Sequence, residues 1–210
     1  MKVSKEKAAE NRELILTQAA RLFRERGILG VGVDALTEAA GLTHGSLYSR
    51  FGSKDSLVAE ALSYGHAVSH SRTTRIKSVA DAISMYLSST HRDNPGTGCF
   101  MAALGGDMPH QSKEVRRSFT QIVRKNMARL AALLPIGPKR EIESEDEALS
   151  TLSTMVGAMV LARAVDDPTF SNRILSAARA RLLMEQQSKS RSDTTEKSVA
   201  ASENRDGDNQ

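Results

Sequence analysis

Thr43, His44, Ser46, Tyr48, Arg50 and Lys54 place six hydrogen-bonding side chains in a short stretch with a regular apolar frame, with Gly45 among them. Thr43 stands before the apolar pair Leu47 and Phe51, four apart, so it reads as the N-cap of a short helix. Ser46 occupies the position where a capping box prefers Glu, which makes a weakened box. Each polar residue also has a plain role: Thr43 as cap alone, His44 as surface polarity, Tyr48 as packing, Lys54 as surface charge. Elsewhere the chemistry is sparse. Cys99 is the single cysteine. It follows Pro95-Gly96-Thr97-Gly98 and opens an apolar segment, and at a helix N-terminus a thiol pKa falls and the reactive thiolate is favoured. A buried, inert thiol is the competing reading. With one cysteine no intrachain disulfide exists, and a disulfide switch has to join two chains. His44, His66, His70, His91 and His110 are not spaced with Cys99 as metal ligands. Gly27, Gly30 and Gly32 lack a preceding strand and a following Gly-Lys-Ser/Thr, so no phosphate loop is present. Gly105-Gly106-Asp107 reads as a helix break. These patterns argue against an enzyme and call for no cofactor or metal.

The elements that position these groups read as helices. Leu14, Ile15, Ala19, Leu22 and Phe23 recur at three- and four-residue steps within 10–26, and Gly27 stops that helix. A short helix covers 34–40 and breaks at Gly41-Leu42. The helix from Thr43 ends at Gly52-Ser53, and Ser53 caps another that carries Leu57, Val58, Ala61 and Leu62. Two short helices joined by a glycine-containing turn are a local helix-turn-helix signature. Further on, helices are expected over 78–89, over 99–104 and over 113–134, the last ended by Pro135 and Gly137-Pro138. The acidic run 141–147 opens a helix that continues through Leu149, Leu152, Met155, Met159 and Leu161 to Val165. It is apolar nearly all round and belongs in a core or a subunit interface. Asp166-Asp167-Pro168 breaks it, and a last helix covers 172–186. The chain after 187 is polar and is expected to be a disordered tail.

Bulk properties agree with a globular helical chain. The 210 residues are 40% hydrophobic, lack Trp, and carry a formal net charge of +4. The basic residues near the N-terminus alternate with acidic ones, so charge alone does not make a nucleic-acid tail. No apolar leader is visible, and no apolar run approaches the ~20 residues that cross a bilayer. A soluble, cytoplasmic protein without membrane contact is expected.

Residues 10–58 resemble the TetR family of bacterial transcription regulators. The resemblance is carried by Ile15-Leu16-Thr17-Gln18-Ala19-Ala20-Arg21-Leu22-Phe23-Arg24-Glu25-Arg26-Gly27, then by Val33-Asp34-Ala35-Leu36-Thr37-Glu38-Ala39-Ala40-Gly41-Leu42-Thr43-His44-Gly45-Ser46-Leu47-Tyr48. It closes on Phe51-Gly52-Ser53-Lys54-Asp55-Ser56-Leu57. It covers about the first quarter of the chain. The remainder is similar only in length, helix content and late apolar helices.

The resemblance implies an all-α fold: a three-helix DNA-binding domain with a helix-turn-helix, then a larger helical ligand-binding and dimerisation domain. The boundaries expected are 8–56, 57–187 and a disordered tail at 188–210. The helix from Thr43 would be the recognition helix, with Thr43, His44, Gly45 and Ser46 at the base edges of a major groove. Gly45 would allow close approach to the backbone or a thymine methyl. No arginine lies early in this helix to read guanine, so operator shape is expected to contribute. Tyr48 and Lys54 look like phosphate contacts, with Arg50 joining them. The family resemblance further implies a homodimer on a double-stranded, pseudopalindromic operator, paired through the two late helices. It also implies a small-molecule effector enclosed by the middle helices, with Tyr86, Phe100, Met101, Phe119, Val123, Met127 and Met155 as candidate lining. Some similar regulators use a cysteine near the position of Cys99 to sense oxidants or electrophiles. Repression is expected over activation. Two alternatives stand beside this: a helical ligand-binding or stress-sensing protein without sequence-specific DNA binding, and an enzyme on a helical scaffold, against which the missing catalytic motif argues.

Overall fold

The computed structural model describes residues 5–41, 43–72, 76–134 and 141–206, with side chains described there except at 5, 44, 46, 70–72, 141–143 and 189–206. Among the described residues every regular element is a helix. The N-terminal unit comprises α1 (Lys5–Arg26), α2 (Val33–Ala40), α3 (His44–Phe51) and α4 (Lys54–Arg72). The remainder comprises α5 (Val79–Tyr86), α6 (Ser89–Asp93), α7 (Phe100–Leu104), α8 (Lys113–Ala131), α9 (Glu141–Ala164) and α10 (Pro168–Asp206), with 3-10 turns at Pro95–Thr97 and Met108–His110.

The apolar periodicity of α1 becomes its buried face: Ile15, Leu16, Ala19, Leu22 and Phe23 are all in the core. Leu36 and Ala40 of α2 and Leu47 and Phe51 of α3 meet the same cluster. The turn between α2 and α3 depends on Gly41, which sits at φ 63°, a left-handed conformation that side chains with a β-carbon resist. From there its N–H donates to the Glu38 carbonyl at 3.1 Å and closes the end of α2.

Helix α4 packs against α1 on one side and α8 on the other, so it belongs to both parts of the molecule. The division expected after residue 56 falls within its first turn. Serine caps start three later helices: Ser78 accepts from the Asp81 N–H, Ser88 from that of His91 and Ser112 from that of Val115. The break between α9 and α10 is also capped. Asp167 Oδ1 accepts from the N–H groups of Thr169 and Phe170, and Pro168 takes the first helical position, where its missing N–H costs nothing.

Two sequence expectations are corrected by the helix ends. Helix α8 stops at Ala131 rather than at Leu134, while Pro135, Gly137 and Pro138 lie outside the described residues. Residues 188–206, expected as part of a disordered tail, continue α10 to Asp206. No proline or glycine interrupts residues 169–206, so neither of the two strongest helix breakers stops α10, although serine is the commonest residue after 187.

Candidate functional site

Helix α3 divides cleanly. Leu47 and Phe51 point inward, whereas Thr43, Gly45, Tyr48 and Ser49 lie on the exposed side. Thr43 holds the N-cap position with an extended backbone but makes no side-chain cap bond. A β-carbon added at Gly45 would meet nothing within 4 Å, so nothing inside the protein demands a glycine there. The side chains of His44 and Ser46 lie outside the described ones. Arg50 Nη1 donates to the Ala8 carbonyl at 2.8 Å and ties α3 to the first turns of α1. Lys54 Nζ donates to the Ile28 carbonyl at 3.0 Å and holds the start of α4 against the link between α1 and α2. Arg12 adds a third tie: its guanidinium lies 4.9 Å over the Phe51 ring and pairs with Glu60.

A second feature is a cavity of about 690 Å³ among α4, α5, α7, α8 and α9. Its walls are mainly apolar, with Ile76, Met85, Phe100, Ile122, Leu130 and Met155 among them. Among the described residues no Asp or Glu lines it, and the guanidinium that does is that of Arg129. One wall is the segment 91–99. There the His91 Nδ1 lies 2.8 Å from the Tyr86 carbonyl, and the Cys99 N–H donates to His91 Nε2 at 3.1 Å. These contacts require a neutral imidazole with its proton on Nδ1. Burial first, and the Arg163 charge after it, pull the His91 pKa below 6.5 against the opposing bond to the Tyr86 carbonyl. The Tyr86 ring meets the His91 ring edge-on, with centroids 4.5 Å apart.

The same segment is gripped from behind. Arg163 of α9 donates to the carbonyls of His91 (2.7 Å) and Arg92 (3.1 Å). Arg24 of α1 donates to the Gly96 carbonyl at 2.8 Å, and its guanidinium lies 4.2 Å from the centre of the Phe100 ring. Further along, Asp107 Oδ2 accepts from the Ile28 N–H at 2.9 Å. Residues 91–107 therefore form a strap whose one side lines the cavity and whose other side holds the C-terminal end of α1.

Residues 15–61 match the family model described as bacterial regulatory proteins, tetR family. Over these residues the N-terminal helices are similar to the N-terminal domain of the TetR family. The HTH-type transcriptional repressor KstR2 of Rhodococcus jostii is 48% identical over 48 residues, 23% of this chain and 24% of that protein. The matched stretch thus spans about a quarter of the relative's length. The whole described fold is also similar to solved structures. A TetR transcriptional regulator from Chloroflexus aurantiacus superposes with a TM-score of 0.68 at 22% identity, over 85% of this chain and 96% of that one. The reduced form of Escherichia coli NemR gives 0.67 at 21% identity, over 82% and 95%. At these identities the likeness is one of TetR-family fold.

Within this TetR-family frame, Tyr86, Phe100, Met101 and Met155 come together on the cavity wall, and Cys99 lines it as well. Phe119, Val123 and Met127 do not line it. They are half-buried on α8 and pack on the core beside the wall, where that helix presents Ile122, Asn126, Arg129 and Leu130 to the cavity. The sequence reading also missed His66 and His91. His66 lies in the middle of α4, and only the turn of the whole α4 helix decides which of its polar residues faces inward. The signal for His91 was the Ser88 cap, which fixes the helix start around it. No cluster of three or more His, Cys, Asp or Glu fit to hold a metal occurs among the described residues. No helix there is long and apolar enough to cross a membrane.

Proposed function

We propose that this chain is a sequence-specific DNA-binding transcription regulator, acting in the cytoplasm as a homodimeric, ligand-responsive repressor on a pseudopalindromic operator. The observation that carries the reading is the exposed side of α3. Its first turn offers Thr43 and a glycine with no internal purpose, while Leu47 and Phe51 lock the opposite side into the core. A helix docked N-terminus first in a major groove needs that division. Thr43, His44, Gly45 and Ser46 are assigned to base edges, and Tyr48, Arg50 and Lys54 to docking on phosphates. For the last two the contacts to Ala8 and Ile28 favour a role in holding α3 and α4 in place as well. Repression accords with the Rhodococcus relative, which is a transcriptional repressor.

Pairing is supported by apolar side chains left uncovered on α9 and α10: Leu149, Val160, Leu161, Phe170 and Met184 are all more than 40% exposed. Effector binding is supported by the mainly apolar cavity and by the strap that joins it to α1. A sensing role for Cys99 is a smaller part of the reading, supported by its place on the cavity wall.

The test is selection of binding sites from fragmented genomic DNA with the purified protein, followed by footprinting at physiological salt, because charge alone gives nonspecific binding. A protected pseudopalindrome bound with submicromolar affinity is the expected result. Weak, salt-sensitive binding without a shared site, from a folded dimer, would transfer the reading to a ligand-binding protein that does not read DNA.

A further inference from the structure

Helix α8 carries six basic residues against one acidic, an excess larger than the +4 of the whole chain. Five of the six, Lys113, Arg116, Arg117, Arg124 and Lys125, are exposed, and none of these five forms an ion pair among the described residues. Val115, Ile122 and Leu130 turn the opposite side of the helix into the core. With 3.6 residues per turn, Lys113, Arg117 and Arg124 share the outermost line of α8, a ridge about 16 Å long. The ridge begins where its charge is least favoured, because cations in a first turn oppose the helix dipole. Glu114, the acidic residue of that turn, does not offset it by pairing with a neighbour on α8. Its carboxylate accepts instead from the Ser56 hydroxyl of α4 at 3.1 Å.

Three contacts fix where this ridge starts. Ser56, which meets Glu114, lies in the first turn of α4. Lys54 Nζ donates to the Ile28 carbonyl, and Asp107, just ahead of α8, accepts from the Ile28 N–H. The Ile28 backbone is thus held by the start of α4 on one side and by the approach to α8 on the other. Further along, His66 and Ser69 of α4 and Asn126 and Arg129 of α8 line one cavity, so the two helices run side by side in the same direction. Lys113 and Arg117 therefore stand at the end of the molecule that carries α3, beside Lys54, and Arg124 lies about 10 Å farther along the axis than Arg117. We propose that Lys113 and Arg117 are a phosphate-binding extension of the DNA interface, contacting operator backbone outside the bases that α3 meets. The inference rests on the reading of α3 as the recognition helix and of Lys54 as a docking residue. Duplex DNA offers about one negative charge per 1.7 Å of axis, and a cation that breaks no ion pair of its own releases counterions at full effect. Such contacts add affinity and fix orientation without reading sequence.

The experiment uses the full-length protein and the selected operator, as a core duplex and as the same duplex lengthened on both sides. Affinity is measured by fluorescence anisotropy over a salt series. The unmodified protein binds the long duplex at least tenfold more tightly than the core. Lys113→Gln combined with Arg117→Gln abolishes that advantage and leaves affinity for the core unchanged. On the long duplex it lowers the salt slope by about two per protomer, at ~0.9 for each lost phosphate contact. Arg124→Gln with Lys125→Gln removes the same charge farther from α3 and keeps the advantage. The unfolding temperature of the Lys113 and Arg117 variant holds or rises, because a cation is withdrawn from the first turn. A role in the fold alone would lower it. An unmodified protein without preference for the long duplex, or a variant with an unchanged slope, would overturn the proposal and give the ridge to another anionic partner. Equal losses on both duplexes, or equal effects of the two variant pairs, would overturn it as well and reduce the ridge to attraction by net charge. Failure of the unmodified protein to select any operator would remove the DNA-binding reading and this proposal together, whereas an operator bound alike by protein and variant removes the proposal alone.

Discussion

At Gly45 the fold and the proposed DNA contact make opposite demands. Inside a helix, alanine is favoured over glycine by up to ~1 kcal/mol, and nothing in the protein obstructs a β-carbon there. Gly45→Ala should therefore keep or raise thermal stability, while DNA affinity measured by fluorescence anisotropy falls at least tenfold. A variant that binds the selected operator normally would dismiss close approach at this position. His91 carries a different prediction, about pH. Its folded pKa is below 6.5, so as pH falls beneath that value the unfolded chain takes up a proton that the folded chain refuses. Its contribution is complete above 6.5 and declines from there toward the lowered folded value. His91→Asn should flatten the dependence of unfolding free energy on pH across that window, measured by urea titration from pH 7 to 5. An unchanged slope would mean that other groups dominate it. The tautomer of His91 was not legible in the sequence. It depends on the Cys99 N–H, which the turn through 95–97 brings to the ring and for which side-chain periodicity supplies no rule.

At the scale of helices, local signals were enough where chain neighbours decide the outcome. Gly27, Gly41 and Gly52 stop α1, α2 and α3, and the apolar spacing of α1 survives as its buried face. Gly41→Ala should lower stability by ~1 kcal/mol or more without altering helix content, as read by chemical denaturation with circular dichroism. No loss would mean that the turn relaxes to an ordinary conformation. Helix α8 shows where the same method runs short. Its apolar residues spread around too much of the helix to say which side faces the cavity, so Phe119 and Val123 look as suitable as Ile122 and Leu130. The answer depends on how α8 rolls against α4 and α9, contacts distant in sequence. The polar end of α10 failed for another reason: lack of apolar residues predicts absence of packing, not absence of helix.

The whole molecule adds consequences that no single helix contains. If α9 and α10 pair two copies, Leu161→Glu should convert the dimer to a folded monomer in sedimentation velocity, with operator affinity falling at least tenfold. Persistence of the dimer would put the interface elsewhere. The hold of Arg24 on Gly96 and Phe100 is one direct link between α1 and the cavity wall. Arg24→Ala should leave binding of an effector found by ligand screening intact but weaken its coupling to the operator, seen as a smaller change in DNA affinity at saturating effector. An undiminished change would route the coupling through α4 instead. Gly65 belongs to the same neighbourhood: a β-carbon there would come within 2.8 Å of the Phe100 ring and 2.9 Å of Ala20.

The shared wall has a practical consequence for anyone reshaping this protein as a biosensor. Phe100 both lines the cavity and lies against Arg24 of α1, so if the cavity is the effector site, enlarging it at that position should also reset the uninduced output of the promoter. Met85 and Ile122 line the cavity from α5 and α8, on helices other than the one that Arg24 touches. New chemical specificities are therefore best sought at those two positions, with Phe100 kept as the tuning screw for background expression.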